Sequence, residues 1–243
     1  YKRFSKKYCV YGTSSQNIDG LLRFNIAQDE IEELLETIQF DNGKKIAIIT
    51  TAISNIDQCF KEKELSYEIN VTKMQKLIKT LNHNRFKVIF ISTDFVFDGK
   101  EGNYTEESLQ NPITEYGKQK AIIEKRIFDY NQNNVVARLS KIVSNKNEPK
   151  NIFFEWLESV QQSRDIMCIK NQKFVPTDVE DVGDAIEKIT TNDLNGVYNI
   201  VADRGYVRSD LAKLFLKIGN ITKCKVIEKE LSVFSFVDNR SLD

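Results

Sequence analysis

The chain has 243 residues, 41% of them hydrophobic, and its 35 basic and 35 acidic residues cancel. That length supports one large or two small units with a buried core, and zero net charge offers no field that draws in nucleic acid or an anionic membrane. No apolar run approaches the ~18 residues a membrane span requires and no signal peptide opens the chain, so a cytoplasmic protein is expected. The four cysteines, Cys9, Cys59, Cys168 and Cys224, show no CxxC spacing, so the sequence suggests neither a zinc site nor a disulfide framework. The only histidine, His83, sits in a polar stretch before a strand, which disfavours a histidine-dependent mechanism.

In chain order, residues 1–7 read as the tail of a helix running into a short strand over 8–11, which ends at Gly12-Thr13-Ser14-Ser15. Residues 22–26 alternate like a strand. Residues 29–40 carry Ile31, Leu34, Leu35 and Ile38 at helical spacing, a core-facing stripe. Residues 45–51 form a short buried strand, and 64–81 a long amphipathic helix with Ile69, Met74, Leu77, Ile78 and Leu81 at core spacing. The run Val88-Ile89-Phe90-Ile91 is too short for a helix and reads as a strand buried on both faces. Residues 135–139 make a further parallel strand and 151–160 a buried helix. Thr177 or Asp178 caps a helix opening after Pro176. Residues 196–200 form a strand, and 209–218 a helix capped by Ser209. Strands alternating with helices predict an α/β fold, a doubly wound parallel sheet with helices on both faces.

The chemistry concentrates where the central strand ends. Ser92, Thr93 and Asp94 put two hydroxyls and a carboxylate at a strand's carboxyl end, where open α/β sheets place their ligands. Pro112 and Thr114-Glu115 then lead into a helix carrying Tyr116 and Lys120, four residues apart and so on one face. A neighbouring ammonium stabilises a phenolate and is expected to lower the tyrosine pKa. With the Thr93 hydroxyl on the same substrate oxygen, this set passes a proton to a carbonyl oxygen while hydride arrives at its carbon.

STDFVFDG at 92–99, Tyr104 and Glu106 in YxE spacing, NPITEYGKQK at 111–120, and Glu124 together resemble the extended short-chain dehydrogenase/reductase family. More narrowly they resemble its dTDP-4-dehydrorhamnose reductase branch, whose pattern reads STDYVFDG, YxE, Pro, YGxSK and Glu. The resemblance covers nearly the whole chain. It implies a Rossmann-like core over 1–140, with returning segments near 176–201, and a smaller substrate lobe from 141–175 and 202–243. Tyr116 becomes the proton donor, Lys120 its partner and an anchor for the nicotinamide ribose, and Thr93 the hydroxyl that orients the carbonyl. Gly12, Thr13, Ser14, Ala52 and Ser92 join Tyr116 and Lys120 in binding the cofactor, while Asp94, Phe95 and Lys141 meet the substrate. Asn70 takes the place of the family's helix asparagine, with a structural or proton-relay role.

The implied activity is NAD(P)H-dependent reduction of the 4-keto group of a nucleotide-activated deoxysugar, with room for a homodimer. The cofactor is NADP or NAD. No acidic residue follows the second strand to hold a free 2′-hydroxyl, which leans towards NADP. The sequence also departs from the pattern: Phe95 replaces Tyr, Ile53 replaces Tyr, Ser54 replaces Thr, and Lys141 stands where rhamnose-forming reductases carry Trp. No GxGxxG or GxxGxxG occurs and the chain opens without Met. The first strand and glycine loop are therefore expected upstream of Tyr1, and 236–243 resembles a late family stretch cut in its middle. A related epimerase remains open; a dehydratase would want an acidic pair after the Thr position, where Phe95 follows Asp94. The non-catalytic alternative is an NADP-binding regulatory subunit similar to the beta subunit of methionine adenosyltransferase. The intact Tyr/Lys/Thr set favours the enzyme.

Overall fold

The computed structural model describes residues 3–144 and 151–230; expectations resting on residues 1–2 and 236–243 lie outside them. A 3-10 turn at Phe4–Lys6 stands where a helix tail is expected. Strand β1 (Thr13–Ser14) pairs in parallel with β2 (Leu22–Arg23). Residues 8–11 form no strand, contrary to expectation. Their apolar pattern is local, whereas a ladder needs a second segment to bond to. Helix α1 (Ile31–Glu36) is shorter than the predicted 29–40. The Thr37 hydroxyl donates to the Leu34 carbonyl at 2.8 Å, which takes up a backbone acceptor as the helix ends.

Strand β3 (Lys45–Ile49) is followed by α2 (Ile56–Lys61), whose N-cap Asn55 accepts from the Gln58 amide at 2.9 Å. The predicted long helix is real but not uniform. It runs as α3 (Lys63–Tyr67), a π-helical turn at Glu68–Lys73 and α4 (Met74–His83). Strand β4 (Phe86–Thr93) ends in a 3-10 turn, Asp94–Val96. Helix α5 (Glu115–Tyr130) and β5 (Val135–Leu139) follow, then β6 (Ile142–Val143) and α6 (Ile152–Gln161). Next come β7 (Ile166–Ile169), β8 (Lys173–Phe174), β9 (Thr177–Asp178) and α7 (Val179–Thr191). The described chain closes with β10 (Gly196–Ile200), β11 (Tyr206–Val207), α8 (Arg208–Ile218) and β12 (Val226–Lys229). Asp178 caps α7, accepting from the Glu180 amide at 2.8 Å. Ser209 does not cap α8, because the helix already starts at Arg208 and buries Ser209 in its first turn.

The central sheet is four-stranded and parallel, in the order β10-β5-β4-β3. Successive side chains of β4 point to opposite faces, and each face has its own helical cover. Val88 and Phe90 pack with Met74, Leu77 and Ile78 of α4 and with Ile123 and Ile127 of α5. Ile89 packs with Val182, Ile186 and Ile189 of α7 on the other side. The sheet is thus doubly wound. Val88, Ile89 and Phe90 are wholly excluded from water, which stabilises the fold by roughly 1.5–3 kcal/mol per side chain. A second core gathers Ile152, Trp156, Val160, Ile166, Phe174 and Leu216. It is built wholly from segments that follow β5 in the chain.

Candidate active site

The carboxyl end of β4 and the first turns of α5 are locked together by a glycine. Thr114 caps α5, its hydroxyl accepting from the Gly117 amide at 3.0 Å. A Cβ on Gly117 would collide with the Phe95 carbonyl oxygen, so only glycine lets the helix approach the 94–96 turn this closely. That approach brings Tyr116 beside Phe95, with ring centroids 6.3 Å apart and nearly perpendicular. One turn on, Lys120 is 3% exposed. Its Nζ donates to the Ile91 carbonyl at 2.8 Å and stands 5.8 Å from the Tyr116 ring centre.

The electrostatics differ from expectation. Burial pushes the Tyr116 pKa above its ordinary value, helped by the nearby Cys59 and Asp94. Spacing alone led to the expectation that Lys120 would lower it, but removal from water disfavours the phenolate more strongly here. Burial also depresses Lys120, to about 8, against the opposing pull of Glu124 and Cys59. At neutral pH the pair is therefore a protonated phenol and a mostly charged, desolvated ammonium. Among the described residues the Tyr116 hydroxyl has no hydrogen-bond partner.

Thr93 is buried, and its hydroxyl donates to Asp94 Oδ1 at 3.0 Å while accepting from the Phe95 amide at 3.3 Å. Thr93 thus caps the 3-10 turn and must swing its hydrogen away from Asp94 to bond a substrate. The Ser92 hydroxyl donates to Glu124. Glu124 also accepts from Gln110 and from Arg138 Nε and Nη2 at 3.0 and 2.8 Å. This buried ion pair ties α5 to β5 directly behind the site. Asp98 accepts from the Tyr104 hydroxyl at 2.6 Å and from Asn111 Nδ2 at 3.0 Å, bonds that hold its carboxyl below the usual range. Glu106 of the YxE motif accepts from the Asn199 amide at 2.8 Å. Asp98 and Glu106 both fasten the loop between β4 and α5, Glu106 by tying it to β10.

The loop after β3, which holds Ala52, is fixed by Asn70. Its amide accepts from the Ile53 nitrogen at 2.8 Å and donates to the Ile53 oxygen at 2.9 Å. Asn70 Nδ2 also donates to Gln119 Oε1 at 2.7 Å, and Gln119 Nε2 to Ser66 Oγ at 2.8 Å. No local pattern marks Gln119, a buried amide joining the Ala52 loop to the Tyr116 helix. Lys141 stands two residues past β5, whose Leu139 lies in register with Thr93. Gly12, Thr13 and Ser14 lie in and before β1, in the separate two-stranded sheet, with Ser14 Oγ accepting from the Gln16 amide at 3.1 Å. Among the described residues no cluster of His, Cys, Asp or Glu could hold a metal ion.

Relatives share this architecture. The chain is 23% identical over 194 residues to the probable low-salt glycan biosynthesis reductase Agl14 of Haloferax volcanii, covering 78% of this chain and 63% of that one. It is 28% identical over 146 residues to the dTDP-4-dehydrorhamnose reductase of Aggregatibacter actinomycetemcomitans, covering 59% and 49%. The chain therefore spans about half to three-fifths of the curated relatives it matches. The crystal structure of dTDP-4-dehydrorhamnose reductase from Bacillus anthracis in complex with NADP superposes with a TM-score of 0.79 at 22% identity, over 99% of this chain and 83% of that one. Residues 5–233 match the family model described as the RmlD substrate binding domain, and the chain belongs to that family.

Proposed function

We propose that the whole protein reduces the 4-keto group of a nucleotide-activated deoxysugar, taking hydride from NADPH or NADH. The observation that carries this reading is the Tyr116 hydroxyl, without a hydrogen-bond partner among the described residues, one helical turn from buried Lys120 and beside the Thr93-Asp94 end of β4. A raised pKa suits a proton donor, because the phenol keeps its hydrogen at neutral pH until a stronger base forms beside it. When hydride reaches C4, the carbonyl oxygen becomes that base and takes the Tyr116 proton, leaving an alcohol. The Lys120 ammonium stabilises the phenolate that remains until solvent returns the proton. Thr93 turns its hydroxyl from Asp94 to the same oxygen.

The groups at hand fit the nicotinamide end of such a cofactor, whose chemistry is the supply of hydride. Lys120 has three N–H donors and spends one on the Ile91 carbonyl, leaving two in a buried site for ribose hydroxyls. Ala52 and Ile53 lie in the loop that Asn70 bonds and, through Gln119, joins to the Lys120 helix. The similarity to reductases named for nucleotide sugars supports the substrate class. The test is loss of NADPH absorbance by the whole protein with a panel of nucleotide-linked 4-keto sugars. Turnover of none of them, combined with tight NADPH binding, would replace this reading with the non-catalytic, NADP-binding one.

A further inference from the structure

Beyond the carboxyl end of β5, Lys141 and Arg208 stand near enough to feel each other's charge, and among the described residues neither is ion-paired. Lys141 is half-buried, and among the described residues its ammonium makes no hydrogen bond and no ion pair. Arg208 opens α8, also half-buried. Its Nε is shut off from water without a partner, Nη1 reaches the neutral Gln172 Oε1 at 3.4 Å, and the guanidinium also bonds the neutral Cys168 side chain. One strip of chain, residues 172–177, brackets both. The Arg208 amide donates to the Gln172 carbonyl at 2.7 Å, and the Thr177 amide donates to the Lys141 carbonyl at 2.9 Å. The two side chains feel each other's charge, and burial holds Lys141 below its ordinary pKa. The nearby carboxylate, Glu155 on α6, is exposed and pairs with neither cation. Among the described residues, two half-buried cations near one solvated carboxylate leave the cluster with a net positive charge, which costs free energy until an anion arrives.

We propose that Lys141 and Arg208 together bind an anionic group of the substrate. This deepens the nucleotide-sugar reading and rests on it for the identity of the ligand. Two groups on such a molecule have the right chemistry: the diphosphate that links nucleotide to sugar, and a carboxylate on the sugar ring. Both accept charge-assisted hydrogen bonds from a guanidinium and an ammonium. A neutral ring stacked at position 141, as a tryptophan there would allow, is replaced by ionic recognition in this chain.

The test uses the protein's single tryptophan, Trp156, which packs against Phe215 of α8 at 5.7 Å and so reports on this lobe. Inorganic pyrophosphate, UDP-glucose and UDP-glucuronate are titrated by fluorescence into wild type, Lys141→Gln, Arg208→Gln and Lys141→Arg. Each charge-removing variant should weaken binding by about 10- to 100-fold, the value of a charge-assisted bond, and Lys141→Arg should restore it. Loss with pyrophosphate and UDP-glucose assigns the diphosphate; loss confined to UDP-glucuronate assigns a sugar carboxylate. Both outcomes support the proposal. Wild-type affinity in both glutamine variants, or no binding of any of the three by wild type, overturns it. Should Arg208→Gln fail to fold, Lys141→Gln read against Lys141→Arg decides the question. Pyrophosphate binding that is lost in the variants, with no sugar reduced by wild type, keeps the anion site and removes the reductase reading alone.

Discussion

Replacing Lys120 with Met should make the protein's stability less dependent on pH. Burial holds the Lys120 pKa at about 8 against an ordinary 10.5, a difference worth about 3 kcal/mol against the charged form. The unfolded chain binds the proton up to 10.5, the folded one only up to about 8. Between these values the unfolded state holds more protons, so stability rises with pH. Below 8 the full penalty of the buried charge is present; above 10.5 it is gone. Wild type should therefore gain about 3 kcal/mol relative to Lys120→Met between pH 7 and pH 11. Taking the difference between the two proteins cancels other titrating groups, and the constant loss of the bond to the Ile91 carbonyl shifts the curve without tilting it. Urea unfolding at one-unit intervals of pH measures the quantity. A difference that stays flat, or falls as pH rises, would refute the claim that Lys120 is a desolvated charge.

Other perturbations follow from the same geometry. Tyr116→Phe keeps the ring against Phe95 and removes the transferable proton, so kcat should fall by about 10²–10⁴-fold with substrate binding retained, as steady-state kinetics would show. Glu124→Ala strands Arg138 in a site where its side chain is 5% exposed and should cost about 3–5 kcal/mol in chemical denaturation. Gly117→Ala forces α5 away from the Phe95 carbonyl; a loss of roughly 1–3 kcal/mol is expected, together with reduced turnover, because the 94–96 turn moves with it. Thr93→Val should lower kcat less than Tyr116→Phe does, since it deletes one hydrogen bond to the developing oxyanion.

The stretch from β4 through α5 was legible because its signals are local. A doubly buried strand, the Thr114 cap and four-residue spacing suffice to put Tyr116 and Lys120 on one face. What was not legible depends on partners remote in sequence. Residues 8–11 have strand-like composition, but composition cannot say whether a neighbour completes the ladder. The π-helical turn at Glu68–Lys73 carries Asn70, whose bonds run to Ile53, 17 residues away; helix propensity contains nothing of that contact. The direction of the Tyr116 pKa shift is hidden from the sequence for a related reason. Spacing reports which groups are neighbours, whereas desolvation depends on everything packed around them. Glu124 was visible only as a motif letter, and its meaning came from Arg138 on the adjacent strand. Likewise Arg208 was unremarkable until the fold set it near Lys141.

The proposed hydride delivery to a sugar carbonyl, with Tyr116 as proton donor, can be followed directly by isotope label. The direct measurement incubates the whole protein with NADPH carrying deuterium at nicotinamide C4 and a nucleotide-linked 4-keto sugar that it accepts, then locates the label in the product by NMR. Deuterium should appear on C4 of the sugar, on the carbon that bears the new hydroxyl, and much more slowly with Tyr116→Phe. A product labelled at another carbon, or formed without label, would contradict it, as would transfer at the wild-type rate by Tyr116→Phe.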